Sequence, residues 1–306
     1  MASIAPLSPE QIRTVHGASL KILETTGITY EQGLEDTVQM LEDDGATIDR
    51  DRKKIRFPKD LIIEQAAKSP EKVVLCGQDP KHDLYLTENR VYLGTGGAAI
   101  KILDLETGEA RSTKLKDLYE VSKLVDQLDN IHFLVRPCIP TDINETDYDV
   151  NMFYTCLSGS SKHVMSGVSD EQGLHNIIEM ASIIAGGLEN LQKRPFISVI
   201  NSFAISPLKL CTQSTRIMQE AIDSIGPGGN FMTSPHTMKY LKTEHYYGNG
   251  VTDRISRDKW EQEGSPDCRH RAVEIAKKML SIPRPAYISK EIDTAIRDKF
   301  NILLSA

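Results

Sequence analysis

The amino-acid sequence predicts an α/β protein in which parallel βα units stand between an N-terminal α+β region and a C-terminal helical region. Three observations predict it. From Lys114 onward, segments of helical period alternate with short apolar segments, the pattern of parallel pairing. Ahead of Lys114 the elements follow no such rhythm, and from Ile222 to Ala306 no segment reads as a strand. A hydrophobic fraction of 40% over 306 residues can build a core around this arrangement. The expected division is residues 1–112, an α+β region with a hairpin; 113–224, the βα units; and 225–306, the helices.

The first helix starts at Ser8, where Ser8-Pro9-Glu10-Gln11 offers an N-cap, a proline at the first helical position and a reciprocal capping glutamine. Ile12, Val15, Ser19 and Ile22 line one face, and Gly27 stops the helix. A second helix, with Leu34, Val38 and Leu41 as its buried stripe, runs to Gly45 as a left-handed C-cap. Strands are expected at Thr47 to Ile48 and Lys54 to Phe57, a helix from Pro58 to Lys68, and a strand from Lys72 to Gly77. VYLGTGGAAIKILDLETGEAR then reads as two strands, Val91 to Leu93 and Ile100 to Asp104, joined by a glycine turn, with Thr107-Gly108 closing the next turn.

The alternating part opens with a helix carrying Leu115, Leu118, Val121 and Leu128, then a strand from Ile131 to Val135 and a helix around Asp147 to Leu157. Strand His163 to Ser166 leads into Ser169-Asp170-Glu171-Gln172, a second capping box, and a helix through Ile177, Met180 and Ile184 that ends at Gly186-Gly187. Strand Phe196 to Asn201 follows, and Ser206-Pro207 reads as the start of a helix through Leu210, Ile217 and Ala221. About three βα units in sequence indicate a barrel or a doubly wound sheet. Beyond them Gly226-Pro227-Gly228-Gly229 reads as a loop. Short helices are expected around Pro235 to Thr243, Ser256 to Gln262, Pro266 to Leu280 and Ser289 to Leu304.

Composition excludes several functions. The net charge is −7 and no basic run or face occurs, so a nucleic-acid partner is not expected. No stretch approaches the roughly 20 apolar residues of a membrane span, and MASIAPLSPEQ lacks the charged start and apolar run of a leader, so a cytoplasmic location without membrane contact is expected. The five cysteines never form C-x-x-C and read as reduced, mostly buried thiols. No H-x-H or H-E-x-x-H spacing recommends a metal site.

Five stretches, in order, carry a resemblance to a known family. They are GTGGAAIKILDLETGEARSTKLKDLYEVSKLVDQLDNIHF at Gly94 to Phe133, SKHVMSGVSDEQGLHNIIEMASIIAGG at Ser161 to Gly187, RPFISVINSFAISPLKL at Arg194 to Leu210, GPGGNFMTSPHTMKY at Gly226 to Tyr240, and the tail DRISRDKWEQEGSPDCRHRAVEIAKKML. Together they resemble the trimethylamine methyltransferase family of corrinoid-dependent methylamine and glycine betaine methyltransferases. That resemblance implies a TIM-barrel fold with an added N-terminal region. Residues 131–224 are too few for a closed barrel of about 250 residues. The resemblance therefore implies an internally shortened member, with a partial TIM-barrel-like set of βα units. The shortfall is expected within Gln219 to Gly226, and the missing block is the region in which the family's trimethylamine enzymes carry pyrrolysine and their quaternary-amine relatives an ordinary residue.

The implied activity is transfer of a methyl group from a methylated amine to the cobalt of a corrinoid (cobalamin) carried by a separate corrinoid protein, with no cofactor bound tightly by this chain. An alternative is an internally deleted, inactive homologue serving as a binding or assembly subunit. Three parallel strands would leave an open sheet edge, so a homo-oligomer is expected. The candidate substrate-binding residues are Gly94, Gly96 and Gly97, which allow close approach to the backbone, and Asn201 and Ser206, just past a strand's carboxyl end. His236, in the family-like Pro235-His236-Thr237 stretch, completes the set. Each has a structural alternative: a strand bend for the glycines, helix capping for Asn201 and Ser206, a helix-start surface position for His236. His132 and His163 read as satisfied interior or edge groups, Tyr240, Tyr246 and Tyr247 as packing more than a cation cage, and Asp104 and Glu106 as an exposed hairpin. The catalytic residue is not identified.

Overall fold

The computed structural model describes residues 7–70, 73–86, 90–225, 267–283 and 285–305. The predicted loop 226–229, the two helices expected within 235–262 and the three late tyrosines lie outside these residues. Helix α1 (Pro9–Thr25) begins on the expected capping box: Gln11 N donates to Ser8 Oγ at 3.2 Å, and Ser8 N donates to Gln11 Oε1 at 2.8 Å. Its Ile12, Val15 and Ile22 face is exposed, while Leu20 is its buried residue. After Gly27, β1 (Ile28–Tyr30), α2 (Glu35–Asp43), β2 (Thr47–Asp49), β3 (Lys54–Arg56) and α3 (Lys59–Ala67) follow. Leu34, Val38 and Ile55 bury here, with Leu41 packed against them. Gly45 takes φ 104° behind α2, as a left-handed C-cap requires.

The hairpin β4 (Val73–Leu75) and β5 (Leu84–Leu86) and the hairpin β6 (Lys101–Leu103) and β7 (Ala110–Ser112) stand apart from that sheet. The expected pairing of residues 91–93 with 100–104 is not made. β6 pairs instead with β7 across the Thr107-Gly108 turn, where Gly108 has φ 74°. The glycine segment runs parallel beside the next strand through bridges Gly94 to Phe133 and Ala99 to Cys138.

The alternating half follows the predicted period, with one short helix, Leu188–Lys193, added: α4 (Leu115–Asp126), β8 (Phe133–Val135), α5 (Tyr148–Gly159), β9 (His163–Ser166), α6 (Glu171–Ala185), α7 (Leu188–Lys193) and β10 (Ile197–Val199). The three strands form one parallel sheet in the order β10-β9-β8, with Phe133 opposite His163 and Ile197 opposite Val164. All four residues of central β9 are buried, as for a strand covered on both faces. The largest core unites Leu118, Leu134, Phe153, Leu157, Val164, Ile177 and Met180 between sheet and helices. Among the described residues the sheet does not close into a barrel.

Helix α6 ends on Gly186 in the left-handed region, as expected, but its start differs. Ser169 gives both its N–H and O–H to Asp149, so Asp170 caps the helix by accepting from Gly173 N at 2.7 Å. Ser206-Pro207 starts no helix. The proline's fixed φ suits a turn equally well, and the pair, joined by a cis peptide bond, turns the hairpin between β11 (Ala204–Ile205) and β12 (Lys209–Leu210). Helix α8 (Thr212–Ile225) begins after it. β12 then pairs parallel with β1, giving a five-stranded sheet of order β11-β12-β1-β3-β2.

Two further helices are described, α9 (Cys268–Ser281) and α10 (Lys290–Arg297). α10 is shorter than expected because the chain beyond it is drawn out as a tail. Arg297 donates to the carbonyls of Ile302 and Leu304, and buried Asn151 bonds Asn301 O and Leu303 N. One glycine fixes the closest helix contact. A Cβ on Gly159 of α5 would lie 2.6 Å from Ser122 Cβ and 3.1 Å from the Tyr119 carbonyl of α4, neither of which is a movable side-chain tip. Gly159→Ala is expected to cost roughly 2–3 kcal/mol by overpacking, read as a lower urea midpoint at unchanged slope. A loss under about 0.5 kcal/mol would mean that the helices separate freely.

Candidate functional site

The parallel strands give the molecule two unlike ends. At their amino end Lys162, Asp126 and two histidines are held in structural hydrogen bonds. Lys162, 2% exposed, donates from Nζ to the carbonyls of Val125 (2.7 Å), Leu128 (2.8 Å) and Ile131 (2.6 Å), at the carboxyl terminus of α4 and just beyond. Three donors meet three acceptors, and the cation sits at the negative end of the helix dipole. Asp126 accepts from Ser160 Oγ, Ser161 N and Oγ, and the Tyr287 hydroxyl. His163 is bonded at both ring nitrogens, Nδ1 to Cys76 O at 2.8 Å and Nε2 to Ser198 Oγ at 2.7 Å. Burial pushes its pKa down to about 4. His132 Nδ1 accepts from Leu93 N and its ring stands edge-on to Tyr92. Both histidines are thus the satisfied groups expected. A cavity of about 570 Å³ lies near this end, lined mainly by residues 127–131 and α9.

The carboxyl end is different. The glycine segment lies along β8, with Thr95 Oγ1 donating to Val135 O. A Cβ on Gly94 would stand 2.3 Å from the Phe133 ring, so this glycine is required for packing. A Cβ on Gly96 would meet open space and one on Gly97 would lie 3.5 Å from Val135 Cγ1, an ordinary contact, and both glycines stand at the exposed rim. Asn201, two residues beyond β10, reaches the same edge. Its Nδ2 donates to Ser214 O at 2.6 Å, and its buried Oδ1 has no partner among the described residues. Ser206 is not brought to this edge; it is exposed in the β11–β12 turn. His236 lies outside the described residues.

Arg136, Tyr148, Asp149 and Ser169, all at this edge, were not singled out as site residues from the sequence. Arg136 directly follows β8, its backbone fixed on both sides: Arg136 N donates to Met165 O, and its own carbonyl accepts from Ala98 N. Its guanidinium carbon is 5.9 Å from the centre of the Tyr148 ring, at the start of α5. Next to Tyr148, Asp149 is 7% exposed and takes the Ser169 N–H at 2.7 Å and O–H at 3.1 Å. Burial raises its pKa, with the Ser169 bonds opposing. Gly173 leaves room for that carboxylate, since a Cβ there would lie 2.3 Å from Asp149 Oδ2. The available signal was position: Arg136 and Ser169 both stand just past predicted strands.

Among the described residues no group of three or more His, Cys, Asp or Glu side chains is arranged to hold a metal ion, and no helix is long and apolar enough to cross a membrane. The features together define an α/β protein whose parallel strands end on a glycine-rich, polar rim, the class in which small ligands bind outside the carboxyl ends of strands.

Within that class the chain belongs to the trimethylamine methyltransferase family, whose model, described as Trimethylamine methyltransferase (MTTB), matches residues 1–216 and 209–301. The chain is 29% identical over 217 residues to trimethylamine methyltransferase MttB of Desulfitobacterium hafniense (strain DSM 10664 / DCB-2), covering 71% of this chain and 43% of that protein. It is 24% identical over 205 residues to glycine betaine methyltransferase of Desulfitobacterium hafniense (strain Y51), covering 66% and 41%. Against trimethylamine methyltransferase MttB of Methanosarcina thermophila the identity is 21% over 214 residues, covering 68% and 44%. The matched stretch spans less than half the length of each of these curated relatives.

Proposed function

We propose that this chain takes part in methyl transfer from a methylated amine, trimethylamine or a quaternary amine such as glycine betaine, to the cobalt of a corrinoid held by a separate partner protein. Membership of the family over residues 1–216 and 209–301 is the observation that carries this reading. A methyl on a positively charged nitrogen is already an electrophile: the C–N electron pair stays on nitrogen and the amine departs neutral, so no general acid is required. The methyl acceptor supplies the nucleophile. What remains for this chain is to hold the cation, exclude water and align its C–N bond, which is a task of positioning and desolvation. The rim from Gly96 and Gly97 across Arg136 and Ser169 to Asn201 suits that task, because its backbone is fixed by the sheet while its loops stay open to a ligand and a partner.

The test is to mix the purified chain with reduced corrinoid protein and a panel of methylated amines and to follow the cobalt absorbance. Methylation above the rate without the chain is expected for at least one amine. Absence of methylation across the panel, with folded protein, would favour the second reading, a shortened and non-catalytic subunit. Two observations lend that reading weight. The match spans less than half of each relative, and among the described residues β10 pairs only with β9, beside exposed Ile200 and Phe203. On either reading the uncovered edge supports assembly of copies into an oligomer.

A further inference from the structure

Arg136 meets no carboxylate at ion-pair distance among the described residues. Arg111, Arg194, Arg216 and Arg297 each meet an aspartate at 2.7–3.1 Å. Arg136, also half-buried, makes no side-chain hydrogen bond or ion pair with a described residue, and only the face of Tyr148 lies beneath it. Asp149, the nearby carboxylate, feels the charge of Arg136 but accepts its hydrogen bonds from both donors of Ser169 and is closed in by Gly173. A guanidinium carries five donors in a planar fork suited to a carboxylate, and stacking on an aromatic ring orders the fork before a ligand arrives. Its place is the carboxyl end of β8, beside the open backbone of Gly96, Gly97 and Ala98. Partial burial without a counter-ion is tolerated best where a ligand supplies the missing charge.

We propose that Arg136 binds the carboxylate of the substrate, so that the rim selects quaternary ammonium carboxylates over methylated amines without an acid group. This rests on the amine reading of the rim and narrows it to zwitterions. The ligand's cationic end then points away from Arg136, because like charges within a few ångströms at a half-buried site repel. Fork and carboxylate fix one end of the molecule and leave its methyl groups directed into the open side of the rim. A plain amine, lacking the acid group, is held at one end only and pays the same ordering entropy.

Calorimetric titration of the full chain with glycine betaine, choline and trimethylamine tests it without any methyl acceptor. Glycine betaine is expected to bind at least about tenfold tighter than choline, whose hydroxyl replaces the carboxylate. Arg136→Gln should abolish that preference by weakening betaine without weakening choline, and Arg136→Lys should keep part of it. Equal affinities for betaine and choline in the natural chain, an unaltered betaine affinity in folded R136Q, or no binding of betaine at millimolar concentration would each overturn the proposal. Should R136Q not fold, the betaine-to-choline ratio of the natural chain decides alone. A chain that discriminates betaine through Arg136 yet methylates no cobalt would uphold this inference and remove the methyl-transfer reading.

Discussion

Replacing Lys162 by methionine is expected to lower the unfolding free energy by roughly 2–3 kcal/mol, the range for losing charge-assisted hydrogen bonds at a buried site. The methionine fills most of the volume, so packing changes little. What is lost is the ammonium: the carbonyls of Val125 and Leu128 keep the N–H groups of Leu128 and Ile131 as donors, but all three carbonyls lose their charge-assisted bond to Lys162. Ser160 and Ser161, joined to the same turn through Asp126, lose their alignment with it. Urea unfolding at neutral pH measures the effect directly. A loss under about 1 kcal/mol would mean that the carbonyls find other donors, and that the amino end of the sheet is not organised by this residue.

The second large effect is a pH dependence centred on the neighbouring residue. His163 has its pKa pushed down to about 4 by burial, against an ordinary value of 6.5. Below 6.5 the unfolded chain therefore takes up a proton that the folded chain refuses. The sign follows: stability is full above about pH 6.5 and is lost as pH falls toward 4, by roughly 3 kcal/mol in all. Between pH 7 and 4.5 the loss assigned to this one ring is roughly 2 kcal/mol. Burial lowers the pKa of His82 and raises that of Asp149, and both groups remain in a His163→Gln variant, so the informative quantity is the difference between the two pH profiles. The natural chain is expected to show the steeper acid loss. Parallel profiles would mean that His163 is charged in the fold or hydrated in a way its two bonds at 2.7 and 2.8 Å do not allow.

How far the molecule could be read from its residues depends on the range of the forces involved. The α4-to-β10 series was legible because period, caps and apolar runs are local: HVMS is β9 to the residue, and Gly186 ends α6 where a left-handed glycine should. β1 and β12 were not, since three-residue and two-residue strands carry almost no periodic signal and take their identity from each other. Ser169-Asp170-Glu171-Gln172 was misread for a related reason. Asp149, distant in sequence, competes for Ser169 and shifts the cap by one residue. Lys162 sits in a segment whose pattern would place a lysine in solvent, whereas in the fold three carbonyls converge on its buried Nζ. Of the proposed rim residues, Gly96, Gly97 and Asn201 reach one edge of the sheet. Arg136 escaped notice because its place at the carboxyl end of β8, over the Tyr148 ring, depends on packing between segments distant in sequence.

The pairing of β1 with β12 ties residues near Thr29 to the backbone of Leu208, 179 positions later. During synthesis the amino-terminal hairpin β2–β3 and the helices around it can gather as soon as they emerge, but β1 waits, half-dressed, until the ribosome has delivered the whole alternating series. Contact order is therefore high at the very start of the chain, and closing so long a loop is both entropically costly and slow. The nascent protein must carry an unsatisfied strand past every βα unit before its first sheet is complete, which makes that strand the natural point of engagement for a chaperone.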